Sequence, residues 1–291
     1  MSDQPLGTSL GSVEIFEMGP RDGLQNEKAE ISVDQKIELV DCLSLAGFSR
    51  IECASFVSPK WVPQMAGSGD VLKGITRAKG VRYAALTPNM RGFDDAIAAG
   101  ADEIAVFGSA SEGFSKANIN ASIDESLGWF APVVEAARAI DMPVRGYVSC
   151  VVGCPHDGDV DPSAVARVAE KLFAMGCYEI SLGDTIGAGT PDSIVRMLMA
   201  VSDVVPVARL AGHYHDTNGR AMDNIDASLA LGLRVFDASV GGLGGCPFAP
   251  GAPGNVATES VAAHLERLGY ETGLDLAVIA QAVEMARALR G

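Results

Sequence analysis

His213 and His215 stand two residues apart, just after an apolar run from Val204 to Leu210, and the chain holds only two other histidines. Successive side chains of a strand point to opposite faces, so both imidazoles would project from one side with Cα atoms ~6.6 Å apart. That spacing suits two nitrogen ligands on one metal ion, with Tyr214 pointing away between them. A His-x-His on a half-exposed strand needs no ligand role, however, so the pair gains meaning only from its company. Other reactive residues follow other apolar runs. Arg21-Asp22 lies in Gly19-Pro20-Arg21-Asp22-Gly23-Leu24-Gln25, Glu52 lies within a run, and Gly183-Asp184-Thr185 follows another. Cys246 stands in a glycine-rich stretch that ends at Gly254-Asn255.

An isolated Arg-Asp is more often a surface ion pair or turn. With two histidines nearby, Asp22 becomes a credible metal ligand, and a fixed guanidinium beside it could serve an anionic substrate. Two nitrogens with carboxylate and amide oxygens suit magnesium, manganese, cobalt or zinc alike. Glycines flank Cys246 instead of apolar partners, which favours an exposed, functional thiol over a packing role. Cys150, Cys154 and His156 match no common zinc spacing, and Cys42, Cys53 and Cys177 read as packing. His264 falls in a helical stretch and reads as structural or exposed.

These residues need a frame that gathers strand ends. Eight β-rich runs are expected at 13–18, 50–54, 81–86, 103–107, 144–149, 178–182, 208–214 and 235–240, with helical stretches between them. Ser32 with Gln35 and Ser122 with Glu125 spell capping boxes, and Asp161-Pro162 and Thr190-Pro191 place a cap before a first-turn proline. A weak repeat puts a glycine four residues before an isoleucine at Gly47/Ile51, Gly100/Ile104 and Gly176/Ile180, with Gly232 in a shorter variant. Each reads as a helix stop followed at once by a strand. Eight such units predict an α/β fold, a (β/α)8 TIM barrel, whose active sites gather at the C-terminal strand ends; a doubly wound open sheet is the alternative. No linker or composition shift divides the chain. One catalytic domain over 1–291 is therefore expected, with loop 241–254 and C-terminal helices at 258–268 and 276–289 as additions to the last unit.

The formal net charge of −15 argues against nucleic acid as a partner. Six scattered cysteines, and no signal-like or membrane-length apolar segment, predict reduced thiols and a cytoplasmic protein without a membrane partner. No dinucleotide fingerprint or phosphate-binding P-loop pattern occurs.

The stretches GPRDGLQNEK (19–28), SFVSPKWVPQM (55–65), RGYVSCVVGCP (145–155), GCYEISLGDTIG (176–187) and GLGGCPFAPGAPGNVATE (242–259) resemble the hydroxymethylglutaryl-CoA lyase family. The resemblance runs from about residue 13 to 272. It implies a metal-dependent barrel lyase that cleaves 3-hydroxy-3-methylglutaryl-CoA, or a close 3-hydroxy-3-alkylglutaryl-CoA, to acetyl-CoA and the matching 3-oxo acid. By the same resemblance, Asp22, His213, His215 and Asn255 are the metal ligands of one divalent ion. Magnesium or manganese comes first, with cobalt or zinc behind. Arg21 is the residue that stabilises the enolate oxygen, and Cys246 the thiol that moves a proton. Glu52 and Asp184 are supporting acids, the latter with Gln25 on the substrate side. An acyl-CoA substrate and a homo-oligomer, dimer or tetramer, are expected.

The chain departs from the family pattern at Tyr214, Asn218, Arg220 and Pro253, which leaves the C3 substituent of the substrate open. Two other readings stand beside the lyase. A Claisen-condensing synthase of the same group usually carries a further C-terminal region. A non-catalytic binder of acyl-CoA or metal would have no need of Arg21 and Cys246 together.

Overall fold

The computed structural model describes residues 10–245 and 254–290. Eight parallel strands close a barrel: β1 (Glu14–Glu17), β2 (Arg50–Ser55), β3 (Arg82–Leu86), β4 (Glu103–Ser109), β5 (Val144–Ser149), β6 (Glu179–Asp184), β7 (Leu210–Tyr214) and β8 (Val235–Ala238). Closure is made by β1, which pairs Glu14 with Val235 on β8 and Glu17 with Ile51 on β2. The open sheet is thereby excluded.

The helices are α1 (Val33–Ser44), α2 (Ser68–Gly74), α3 (Met90–Ala99), α4 (Glu112–Ile119), α5 (Ile123–Arg138), α6 (Pro162–Met175), α7 (Pro191–Ser202) and α8 (Ala221–Ala230). They are followed by α9 (Thr258–Leu268) and α10 (Leu276–Leu289), the two expected C-terminal helices. Both capping boxes form, with the Ser32 hydroxyl accepting from Gln35 N and that of Ser122 from Glu125 N. Asp161 and Thr190 cap α6 and α7 ahead of their prolines. The repeated glycines take the left-handed backbone that stops a helix, with φ of +94° at Gly47, +86° at Gly100, +120° at Gly176 and +98° at Gly232.

Most strand bounds fall within one residue of expectation, but β4 and β6 run two residues further, to Ser109 and Asp184, and two strands are shorter than expected. Residues 207–209 form a short 3-10 turn before β7, following Pro206, and β8 ends at Ala238 before a second turn at Val240–Gly242. Helix α4, capped by Ser111, is an element the alternation of runs did not predict.

The outer strand faces and the helices form a continuous apolar core, while the barrel interior carries charge. At its floor Arg50 and Arg145 share Glu179, at 2.9 and 2.7 Å. Both guanidinium groups lie 4.6 Å from the Phe16 ring centroid. Buried ions persist only when paired and hydrogen-bonded, so this layer is a rigid base beneath the mouth. Among the described residues no helix is long and apolar enough to cross a membrane.

Candidate active site and metal centre

Six of the nine expected site residues gather at the C-terminal strand ends, and they do so from three sides. After β1 the chain turns at once through Gly19–Gly23, where Gly23 N donates to the Met18 carbonyl at 3.1 Å, a wide turn of the π type. A Cβ on Gly23 would stand 2.7 Å from Leu243 Cβ, so the missing side chain lets this turn press against the segment after β8. The turn aims Arg21 and Asp22 inward. Arg21 is only 5% exposed, which rejects the surface ion-pair reading. Its Nε donates to Glu52 on β2 and its Nη1 to Asp22 at 2.6 Å. The second Glu52 oxygen accepts from the Tyr147 hydroxyl at 3.1 Å.

His213 and His215 leave the end of β7 on one side, with ring centroids 5.4 Å apart. His213 Nε2 lies 3.9 Å from Asp22 Oδ2. One ligand atom each from Asp22, His213 and His215 fall within 4.8 Å of one another, and among the described residues no other such group of histidines, cysteines or acids occurs. Asn255 joins them from the far stem of loop 241–254, where it bridges His215 in antiparallel fashion. Both amide hydrogens of Asn255 are engaged, on Asp22 Oδ2 at 2.8 Å and the Leu243 carbonyl at 3.3 Å, leaving its amide oxygen for a ligand. The two loop stems touch: Asn255 N donates to the Gly244 carbonyl, and a Cβ on Gly254 would stand 1.8 Å from that oxygen. Only glycine fits there.

The residues fit a divalent cation. His215 Nδ1 is buried with no hydrogen-bond partner among the described residues, a lone pair a cation would satisfy. Burial, helped by His213, drops the His215 pKa to about 4, so its ring is neutral and ready to ligate. Burial opposes ionisation of Asp22, but Arg21, His213 and Asn255 outweigh it and bring its pKa down to about 2. His213 moves the opposite way from His215: burial disfavours its charge, but a hydrogen bond to Asp237 and the nearby carboxylates raise its pKa.

Three expected residues stand apart from this cluster. Asp184 is buried at the end of β6 with both oxygens engaged by its own loop, by Ala188 N at 3.0 Å and Gly189 N at 2.8 Å. Gln25 is half-buried in the same turn, four residues after Arg21. Cys246 lies outside the described residues, as does Pro253.

The departure at 214 faces α8, and that at 218 ties the loop after β7 to the loop after β6. Tyr214 points outward, its hydroxyl 2.8 Å from Ser228 on α8, and Asn218 donates to the Gly187 carbonyl at 2.7 Å. Tyr214→Phe should therefore leave turnover unchanged and lower stability by about 1 kcal/mol, the usual worth of one buried hydrogen bond; thermal melting and steady-state rates check both. Cys154 accepts from Ser111 Oγ at 2.8 Å and from two backbone amides, which gives it a structural partner set of its own. His264 is tied to Asp226 at 2.6 Å.

Sequence reading missed Tyr147, Asp237 and Arg145. The only signal was polar residues at inward positions of otherwise apolar strands.

The HMGL-like family signature matches residues 12–286. The chain is 58% identical over 279 residues to the 3-hydroxy-3-isohexenylglutaryl-CoA/hydroxy-methylglutaryl-CoA lyase of Pseudomonas aeruginosa, covering 96% of this chain and 93% of that one. It is 56% identical over 281 residues to the mitochondrial hydroxymethylglutaryl-CoA lyase of Rattus norvegicus, covering 97% and 86%. The crystal structure of the HMG-CoA lyase from Brucella melitensis matches with a TM-score of 0.95 at 61% identity, over 96% of this chain and 99% of that one.

Proposed function

The chain belongs to the HMGL-like family, and on that premise we propose that it is a carbon–carbon lyase that cleaves 3-hydroxy-3-methylglutaryl-CoA to acetyl-CoA and acetoacetate. The observation that carries this reading is the convergence of Asp22, His213 and His215 beside a buried Arg21 at the barrel mouth. A divalent ion held by these three residues and Asn255, magnesium or manganese before cobalt or zinc, would acidify the substrate's tertiary hydroxyl and help to neutralise developing charge.

The chain's own residues do the rest. Breaking the C2–C3 bond builds negative charge on the thioester oxygen. Arg21 is placed to stabilise that charge, since its Nε and Nη1 are fixed by Glu52 and Asp22 and nothing among the described residues accepts from Nη2. Glu52 acts by holding the guanidinium in one orientation, itself steadied by Tyr147. Asp22, ionised at neutral pH, or a neighbouring group accepts the hydroxyl proton. Asp184 acts through the loop whose amides it gathers, and Gln25, half-buried in the first turn, is assigned to substrate binding. Cys246 supplies the proton that quenches the acetyl-CoA carbanion.

An apolar cluster within the barrel bears on the C3 substituent. Leu86 and Ala105 pack there with Met18, Phe16 and Tyr147, and Val57 and Phe107 lie against them. The Tyr147 ring centroid is 5.8 Å from the Arg21 guanidinium carbon, so this cluster adjoins the reacting groups. Its core is buried, and the half-buried Val57 and Phe107 at its edge are the groups we assign to the C3 substituent, a methyl or a longer 3-alkyl chain. The lyase names of relatives at 58% and 56% identity do not favour a condensing synthase or a non-catalytic binder.

The direct test is acetyl-CoA release from 3-hydroxy-3-methylglutaryl-CoA by purified protein with manganese or magnesium; no release with either ion would refute the reading. Cys246→Ser should bind a non-cleavable substrate analogue almost normally while kcat falls by roughly 10²-fold or more, the scale of losing a positioned acid. Full activity in that variant would mean another group moves the proton.

A further inference from the structure

The two histidines of the mouth are not equivalent. His213 Nδ1 lies 3.1 Å from Asp237 Oδ2, whereas His215 Nδ1 has no partner among the described residues. Asp237 is buried on β8, and each of its other polar contacts holds it still. Arg145 on β5 donates to it through Nη1 at 2.9 Å and Nη2 at 2.7 Å, a two-pronged grip, and Ser181 Oγ on β6 donates at 2.7 Å. Arg145 is fixed in turn by Glu179 at 2.7 Å and lies 4.6 Å from the Phe16 ring and 5.1 Å from the Tyr147 ring. The carboxylate thus has one orientation, set by three strands at once.

A neutral imidazole carries one N–H, and a carboxylate only accepts hydrogen bonds. Contact with Asp237 therefore requires the His213 hydrogen on Nδ1, which leaves the lone pair on Nε2, the nitrogen 3.9 Å from Asp22 Oδ2. We propose that Asp237, clamped by Arg145 and Ser181, is a positioning residue that fixes the Nδ1–H tautomer and the ring orientation of His213, and so presents Nε2 to the divalent ion. Carboxylates behind ligating histidines act in this way generally, and losing one weakens metal binding about 10- to 100-fold. The inference rests on the metal-dependent reading given above.

Two measurements on metal-free protein test it. Nitrogen-15 spectra of the imidazoles, with only four histidines in the chain and taken at alkaline pH where the ring is neutral, report which His213 nitrogen carries hydrogen; Nδ1–H is expected in the parent. Manganese titration by calorimetry then compares the parent with two variants. Asp237→Ala removes the acceptor and should weaken binding about tenfold or more. It also removes one of the two buried carboxylates that pair with Arg145, so folding is checked by melting. Asp237→Asn covers the case in which the alanine variant does not fold. The Oδ2 position receives three donors, so the amide oxygen should settle there, and affinity should fall between parent and alanine variant. A parent His213 with Nε2–H, or parent-like manganese affinity in every variant that folds, overturns the proposal. A parent that neither binds manganese nor releases acetyl-CoA overturns the metal-dependent lyase reading instead, and the tautomer measurement stands independently of it.

Discussion

Arg21→Met should lower kcat about 10²- to 10³-fold, with a smaller change in KM. That range, ~3–4 kcal/mol, is the usual loss when one preorganised donor is removed from a developing oxyanion. The geometry places the effect in the transition state. Arg21 is buried, so its charge acts at low dielectric, and Glu52 and Asp22 hold it in place before substrate arrives. A contact that strengthens as charge develops lowers kcat and kcat/KM together when it is lost. Arg21→Lys should also be poor. One ammonium cannot serve Glu52, Asp22 and substrate in the planar geometry of the guanidinium. Methionine also strands the buried Glu52, whose pKa burial already pushes up; breaking such a pair costs about 3–5 kcal/mol of stability. Rates therefore have to be read on folded protein, with melting curves beside them. Parent-like kcat in folded Arg21→Met would remove Arg21 from the chemistry.

The barrel was legible because its units repeat. Each glycine stop sits where the backbone enters the left-handed region, and the apolar run that follows becomes a strand. The two shortened strands have local causes. Pro206 opens a 3-10 turn ahead of β7, and Gly241, at φ +63°, turns the chain after β8. The His-x-His alternation correctly put both rings on one side and Tyr214 on the other. The same alternation could not reveal Asp237 or Arg145. Their meaning lies in each other and in His213, and 92 residues separate the first two along the chain. A charged residue in a strand reads as exposed until closure supplies its partner, and here closure buries the whole ionic layer. Tyr214, a departure from the family pattern, packs behind the strand as the alternation expected, and its hydroxyl reaches α8.

Removal of the divalent ion should abolish turnover outright, and restoring it should restore the rate. His215→Ala should reproduce that loss without a chelator. The argument begins with the unfilled valence at His215. Its Nδ1 is buried without a partner among the described residues, and burial keeps the ring uncharged down to a pH of about 4. An imidazole so placed is poorly satisfied unless something binds it. Asp22 adds a carboxylate that stays ionised down to about pH 2, against the cost of its burial, because Arg21 stands beside it. The ligand set is thus already deprotonated at His215 and Asp22 near neutral pH, and ion binding need not displace a proton from either. His215→Ala removes one nitrogen and leaves His213, Asp22 and Asn255 too few to hold the ion tightly. Calorimetric titration with manganese should show affinity reduced by at least tenfold, comparable to or larger than the loss of an outer hydrogen-bonding partner. Activity should return only in part at high manganese, since the remaining ligands no longer fix the ion beside Arg21. Two results would count against this site: unchanged manganese affinity in His215→Ala, or full acetyl-CoA release in the presence of a chelator.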